Sequence, residues 1–142
     1  MLEALSISLN KAAVFGFALY ILGAAVLFAL FQFIYIHVTP HKEFELIRSG
    51  NVAAAIALSG ALIGFAIPAS NVIAYSISLL DFIVWTVIAA VVQLLAFLVT
   101  SLVLKGASAR IKNGEIAAGI YIAAVAISVG MLNAACMTPS TN

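Results

Sequence analysis

Charge is what this chain has least of. Lys, Arg, Asp and Glu make up 8% of its 142 residues, against about 25% in a soluble globular domain. A surface facing water on every side cannot be assembled from so few ionic groups, so lipid serves as solvent for most of the exterior. Cysteine is represented once, by Cys136, which excludes an internal disulfide and a cysteine-rich metal site. It leaves an inert thiol or a bridge between subunits as the two readings of that residue. Two histidines, His37 and His41, are the side chains whose unperturbed titration falls near neutral pH. The Thr39-Pro40 step between them keeps a single helix from presenting both, so they read as interfacial polar groups at a helix end, and no metal is expected. With neither a nucleophile–base pair nor a phosphate-binding glycine loop, no enzyme activity and no cofactor are expected. A net charge of +1 gives no reason to expect a nucleic-acid partner.

What is present is apolar. Hydrophobic residues make up 65% of the chain and the mean hydropathy is +1.25. A membrane crossing takes about 20 predominantly apolar residues, and four runs qualify, near 12–36, 52–67, 82–104 and 116–137. In lipid the backbone must satisfy its own hydrogen bonds, so each run is expected to be a helix. The second is the shortest, because Pro68 lacks the N–H of a helical hydrogen bond. A helix kinked or ended near Pro68, followed by an interfacial segment over 69–80, is the expectation there. The first charge is Glu3 and no basic n-region precedes the first run, so that run is expected to be retained rather than cleaved as a signal.

Basic residues set orientation. Lys42 and Arg48 lie between the first two runs, Lys105, Arg110 and Lys112 between the last two, and only Lys11 falls on the other side. Both termini are therefore expected outside. The segment Ile47-Arg48-Ser49-Gly50-Asn51-Val52-Ala53-Ala54-Ala55-Ile56 resembles Ile111-Lys112-Asn113-Gly114-Glu115-Ile116-Ala117-Ala118-Gly119-Ile120, 64 residues later. The expected architecture is an all-α membrane protein in one integral domain over 1–142, with four transmembrane helices as two parallel-repeated helical hairpins, about 12–80 and 81–137. In this helix-start motif, Arg48, Gly50 and Asn51 correspond to Lys112, Gly114 and Glu115. Asn51 can cap free amides, and Glu115 would face the positive end of its helix dipole. Paired helix starts with Arg48, Arg110 and Lys112 nearby also suit an anion.

Polar residues within the apolar runs are few. Asp81 stands at the start of the third run, where it reads as an interfacial N-cap or as a proton or cation site. Gln32, Gln93 and Asn133 read either as interhelical hydrogen-bonding groups or as the lining of a polar path. Ser59, Thr86 and Ser128 can bond back to their own helix carbonyls. Trp85, Tyr20, Tyr35 and Tyr75 read as interfacial anchors. Small residues form two stripes, Ala53, Ala57, Gly60 and Gly64 on the second run and Gly119, Ala123, Ala126 and Gly130 on the fourth. Such stripes permit close helix approach. Their registers differ under the 64-residue offset, so different partners are expected, one face packing within the chain and the other between chains, although packing within the chain alone would account for either stripe.

The runs Thr39-Pro40-His41-Lys42-Glu43-Phe44-Glu45-Leu46-Ile47 and Gly50-Asn51-Val52-Ala53-Ala54-Ala55 carry a wider likeness. So do Gly60 with Gly64, Ile67-Pro68, Asp81 with Trp85, Gln93-Leu94-Leu95 and Asn133-Ala134-Ala135-Cys136-Met137. Together they resemble the YjfL-type family of small bacterial inner-membrane proteins, a domain of unknown function, over about 15–137. The resemblance implies a four-helix protein of the bacterial inner membrane with no assigned activity. Such proteins often carry Asn after the second motif's Gly, where this chain has Glu115. Two functions are expected to compete. One is a small homo-oligomeric channel or transporter for an ion or small solute, built around Asp81, Gln32, Gln93 and Asn133. The other is a non-transporting anchor or regulatory subunit that docks a soluble cytoplasmic partner on the loop 42–50, with Glu43, Glu45 and Arg48 at the contact.

Overall fold

The computed structural model describes residues 10–138. The reading of Glu3 at the N-terminus lies outside them. Six helices follow in order: α1 Lys11–Val38, α2 Glu43–Arg48, α3 Val52–Tyr75, α4 Leu79–Val103, α5 Ala107–Lys112 and α6 Ile116–Cys136. Among the described residues, α1, α3, α4 and α6 are long and apolar enough to cross a membrane. The protein is an all-helical chain of four such spans. Their starts are set by side-chain caps that satisfy free amides. Asn10 Oδ1 accepts from the Ala13 N–H at 2.8 Å and Asn51 Oδ1 from the Ala54 N–H at 2.9 Å. Ser78 caps α4, accepting from the Asp81 N–H at 3.2 Å, while the Asp81 carboxylate accepts from the Ile77 N–H at 3.2 Å. Asp81 is thus the third residue of a reciprocal cap rather than the N-cap itself.

The second span departs from expectation. α3 runs unbroken from Val52 to Tyr75 with Pro68 inside it, so there is no interfacial segment over 69–75. Proline removes the N–H that would bond the carbonyl four residues back, here that of Gly64. That carbonyl faces α6 at Gly130, where a Cβ would overlap it. The bond is lost on a face that a neighbouring helix covers, which lets α3 continue.

The most extensive helix–helix interface joins α3 to α6, and it corrects the expected partners of the small-residue stripes: they pack on each other. Cβ atoms at Gly60, Gly64, Gly119 and Gly130 would overlap Ala123, Ala126, Ala53 and Gly64 respectively. Ala57 is buried beside them. The contacts climb both helices together, so α3 and α6 run parallel, as they must when both start at the basic loops. Each contact pairs positions close to 64 residues apart, and the register difference is absorbed as a stagger of one or two residues. Without a hydrophobic drive between helices in lipid, close van der Waals approach supplies the association. Asparagines clamp both ends of the seam. Asn51 Nδ2 donates to the Ile111 carbonyl and Asn71 Nδ2 to the Ala134 carbonyl, each at 2.8 Å.

α4 lies against this pair, and α1 outside them. α1 buries only Phe31 and Tyr35, with Phe31 stacked on Phe65 at 4.2 Å between ring centroids. Its outward side chains, among them Phe15, Phe17, Leu22 and Val26, are exposed, as suits a lipid-facing or subunit-facing helix.

Candidate functional site

The strongest concentration of buried polar chemistry lies at the end carrying the basic loops. After α1 the backbone turns extended at Thr39, with φ −68° and ψ 132°. Thr39, His41 and Glu43 are buried, while Pro40, Lys42 and Phe44 are exposed. His41 thus faces inward, which corrects its reading as an interfacial group, and Glu43 is removed from the surface expected to dock a partner. His41 Nε2 lies 2.9 Å from Glu43 Oε1, with the two side chains 4% and 1% exposed. The ring N–H is not aligned with the carboxylate, so the contact is an ion-pair approach rather than a directed hydrogen bond, and Glu43 Oε2 is buried with no hydrogen-bond partner among the described residues. On its other side, His41 Nδ1 is 3.1 Å from Ser108 Oγ on α5. Tyr35, 1% exposed and therefore no interfacial anchor, lies within electrostatic reach of Glu43.

From here polar groups continue along one face of α4. Thr100, Gln93 and Thr86 are seven residues apart and all buried, a spacing of nearly two helical turns that keeps them on one side. Tyr35, Gln93 and Thr100 line an enclosed cavity of about 10 Å³, room for roughly one water. Gln93 Nε2 donates to the Ala126 carbonyl at 2.8 Å, but among the described residues its Oε1 has no partner. Thr86 Oγ1 is buried and unpartnered too, so it does not bond back to its own helix. Thr100 does so, to the Ala96 carbonyl at 2.7 Å. At the far end, Asn133 is buried with Nδ2 unpartnered among the described residues. Asp81 lines a hollow of about 200 Å³ with Tyr75, Ser76, Trp85 and Met137. Gln32 is only half-buried and makes no hydrogen bond among the described residues.

The helix-start motif serves structure at both copies. Gly50 and Gly114 adopt left-handed backbone, φ 86° and 74°, which L side chains enter at a cost of about 1–2 kcal/mol. Asn51 caps α3, as expected. Glu115 occupies the N-cap of α6 but caps no amide. Instead it takes both Arg110 Nε, at 2.6 Å, and Arg110 Nη2. That hydrogen bonding holds the Glu115 carboxyl below the usual carboxylate range, against a smaller opposing effect of desolvation. With Arg110 so engaged, the basic groups here do not converge on an anion. Arg48 and Lys112 are exposed.

These features define a multi-pass α-helical membrane protein with a buried polar file inside its bundle. The chain belongs to the family described as Domain of Unknown Function (DUF350), which matches residues 7–137. It is 39% identical over 123 residues to the UPF0719 inner membrane protein YjfL of Escherichia coli K12, covering 87% of this chain and 93% of that protein. The YjfL of Escherichia coli O157:H7 matches to the same extent. No solved structure matches the chain. The protein is a multi-pass inner-membrane protein of this family.

Sequence reasoning missed Glu43, Tyr35, Thr86 and Thr100 as members of one buried file. One signal was available: the seven-residue spacing of Thr86, Gln93 and Thr100.

Proposed function

We propose that this protein is a small channel or transporter for an ion or small solute, working as a homo-oligomer. The observation that carries the reading is the file of buried polar side chains on α4, bounded by Glu43 and His41 at one end and Asp81 at the other. A bundle built only for packing would fill these positions with apolar groups, since each unsatisfied buried polar atom costs about 1–3 kcal/mol. The α3–α6 seam is too close-packed to conduct, so the path follows α4. The enclosed cavity of about 10 Å³ suits a small species moving with transient water rather than through a standing pore. A second copy packed on the exposed face of α1 would complete the walls. The resemblance between the two helix-start motifs fits two duplicated hairpins related by an axis along the membrane normal, an arrangement that transporters use.

Flux from proteoliposomes tests this reading. Asp81→Asn is expected to alter flux while leaving assembly intact, and Gln93→Leu to reduce it by about tenfold or more. Wild-type protein that passes no proton, monovalent ion or small amine would sink the reading.

A second reading, an anchor or regulatory subunit, draws on the exposed end of the loop. Lys42, Glu45, Ser49 and Lys112 help to line an open hollow of about 690 Å³, and Arg48 is exposed nearby. A soluble protein that co-purifies stoichiometrically and is lost in Glu45→Ala or Arg48→Ala would favour it, with flux absent.

A further inference from the structure

We propose that the buried His41–Glu43 pair is a proton-binding site, which draws a proton from the hollow at the basic end and holds it on the Glu43 carboxyl group. The consequence for transport, that the proton is the translocated or coupled ion, rests on the function proposed above; the site itself stands on its geometry.

Glu43 is a carboxyl group with its side chain 1% exposed and one oxygen, Oε2, without a hydrogen-bond partner among the described residues. An ionised carboxylate is costly to bury unless it is paired and fully hydrogen-bonded, and the one charge partner in contact is an imidazole that approaches off its N–H axis. The site is therefore one group short of satisfaction, and a proton on the carboxyl supplies that group. His41 connects it to water. The ring lines the open hollow of about 690 Å³ with Lys42, Glu45 and Lys112, and also a second hollow of about 360 Å³ with Ser101 and Ser108. Behind Glu43 stands Tyr35, which lines the enclosed cavity shared with Gln93 and Thr100.

The pair's chemistry selects a proton over a metal ion. Among the described residues no group of three His, Cys, Asp or Glu side chains comes together. A hard cation takes six or more oxygens, whereas here one neighbour of the carboxylate is a ring nitrogen at 2.9 Å. The step balances simply. A hydronium ion in the hollow gives a proton to Ser108 Oγ as Ser108 passes its own hydroxyl proton to His41 Nδ1, in one concerted relay that leaves water and an imidazolium. The Nε2 proton then moves to Glu43 Oε1, leaving a neutral imidazole and a neutral carboxylic acid. The other charged or titratable groups facing the pair are Tyr35 on α1, Lys42 and Glu45 on the loop side, and Lys112 on α5. Lys42 and Glu45 engage each other at 2.8 Å, so their charges largely offset.

Infrared difference spectra of the full-length protein in lipid nanodiscs, recorded on acidification, test the site. Wild type is expected to gain the C=O band of a buried carboxylic acid over the same pH interval in which its imidazole bands change. Glu43→Gln should lose that band entirely. His41→Asn should keep it but displace its appearance by roughly a pH unit or more, the mark of coupled groups. A band that persists in Glu43→Gln, or one unmoved in His41→Asn, overturns the proposal, and the second result decides even if Glu43→Gln does not fold. Proton flux in proteoliposomes separates the two claims. Glu43→Gln is expected to lose flux on the order of a hundredfold. Coupled titration without any wild-type flux overturns transport and keeps the site; unchanged flux in Glu43→Gln overturns the site's role as proton donor to the path.

Discussion

The two basic turns share a backbone and differ in almost everything attached to it. α2 and α5 are six residues each, with bounds 64 residues apart. Each is followed by a left-handed glycine. The Gly50 and Gly114 N–H groups bond the carbonyls of Ile47 and Ile111 at 3.0 and 2.9 Å, and the Asn51 and Glu115 N–H groups bond those of Leu46 and Arg110 at 2.9 and 3.0 Å. Satisfying the last carbonyls of a short helix in this way demands little of the side chains. The side chains have accordingly diverged. Where the first turn buries Glu43 the second buries Ala107, and the place of His41 is taken by exposed Lys105. Asn51 reaches across to the second turn, whereas Glu115 folds back on Arg110 in its own. The common backbone positions both helix starts, and only the first turn carries buried ionisable groups. The second turn supplies one hydroxyl to them, that of Ser108, and Ala107 lines a hollow with His41.

The comparison is broken most completely by parting the two halves at their seam. Gly130→Leu places a branched side chain where even a Cβ overlaps Gly64. Overpacking of this kind costs typically about 1–3 kcal/mol and occasionally more, and backbone opposite backbone cannot yield as a side chain would. The variant is expected at the upper end, with loss of folded protein in detergent. Gly16→Leu is its control, since nothing lies within 4 Å of a Cβ there, and it should unfold within a few degrees of wild type. Equal melting of the two would mean that the α3–α6 contact is not what joins the halves.

A smaller effect separates the two turns directly. Asn51→Ala removes the cap of α3 and the bond to the Ile111 carbonyl together, which should cost about 1–2 kcal/mol. Glu115→Ala removes no cap bond and should cost less, measured by the same denaturation. Gly50→Ala and Gly114→Ala probe what the turns have in common, and each should cost about 1 kcal/mol. Unequal costs at these glycines would show that the shared backbone hides a difference in strain.

Much of this was legible in the sequence for a physical reason: hydropathy over about 20 residues is a bulk property, and four apolar runs need no knowledge of their neighbours. What depends on neighbours was not. Pro68 reads as a helix end until Gly130 is seen covering the Gly64 carbonyl. The small-residue stripes read as belonging to different interfaces, because a fixed 64-residue offset ignores the stagger that helix crossing permits. His41 and Glu43 read as loop polars because the group that meets His41, the Ser108 hydroxyl on α5, lies 67 residues away in the chain.

The finest distinction between the turns lies in their acidic residues and pH. The Arg110–Glu115 pair is partly open to solvent, with side chains 38% and 39% exposed. Its hydrogen bonds hold the Glu115 carboxyl below its ordinary value of 4.5. Because the folded value is depressed, the pair's contribution to stability is fully present above 4.5 and is lost as pH falls through the lower folded value. The melting difference between wild type and Glu115→Gln should therefore be constant from neutral pH down to about 4.5 and shrink below it. Added salt should reduce that difference at neutral pH, since exposed charges are screened over about 8–10 Å at physiological strength. Glu43, enclosed by protein, is expected to show no such salt dependence in the corresponding comparison of wild type with Glu43→Gln. If salt reduced both differences equally, Glu43 would be as open to water as Glu115, and the chemical asymmetry between the two turns would disappear.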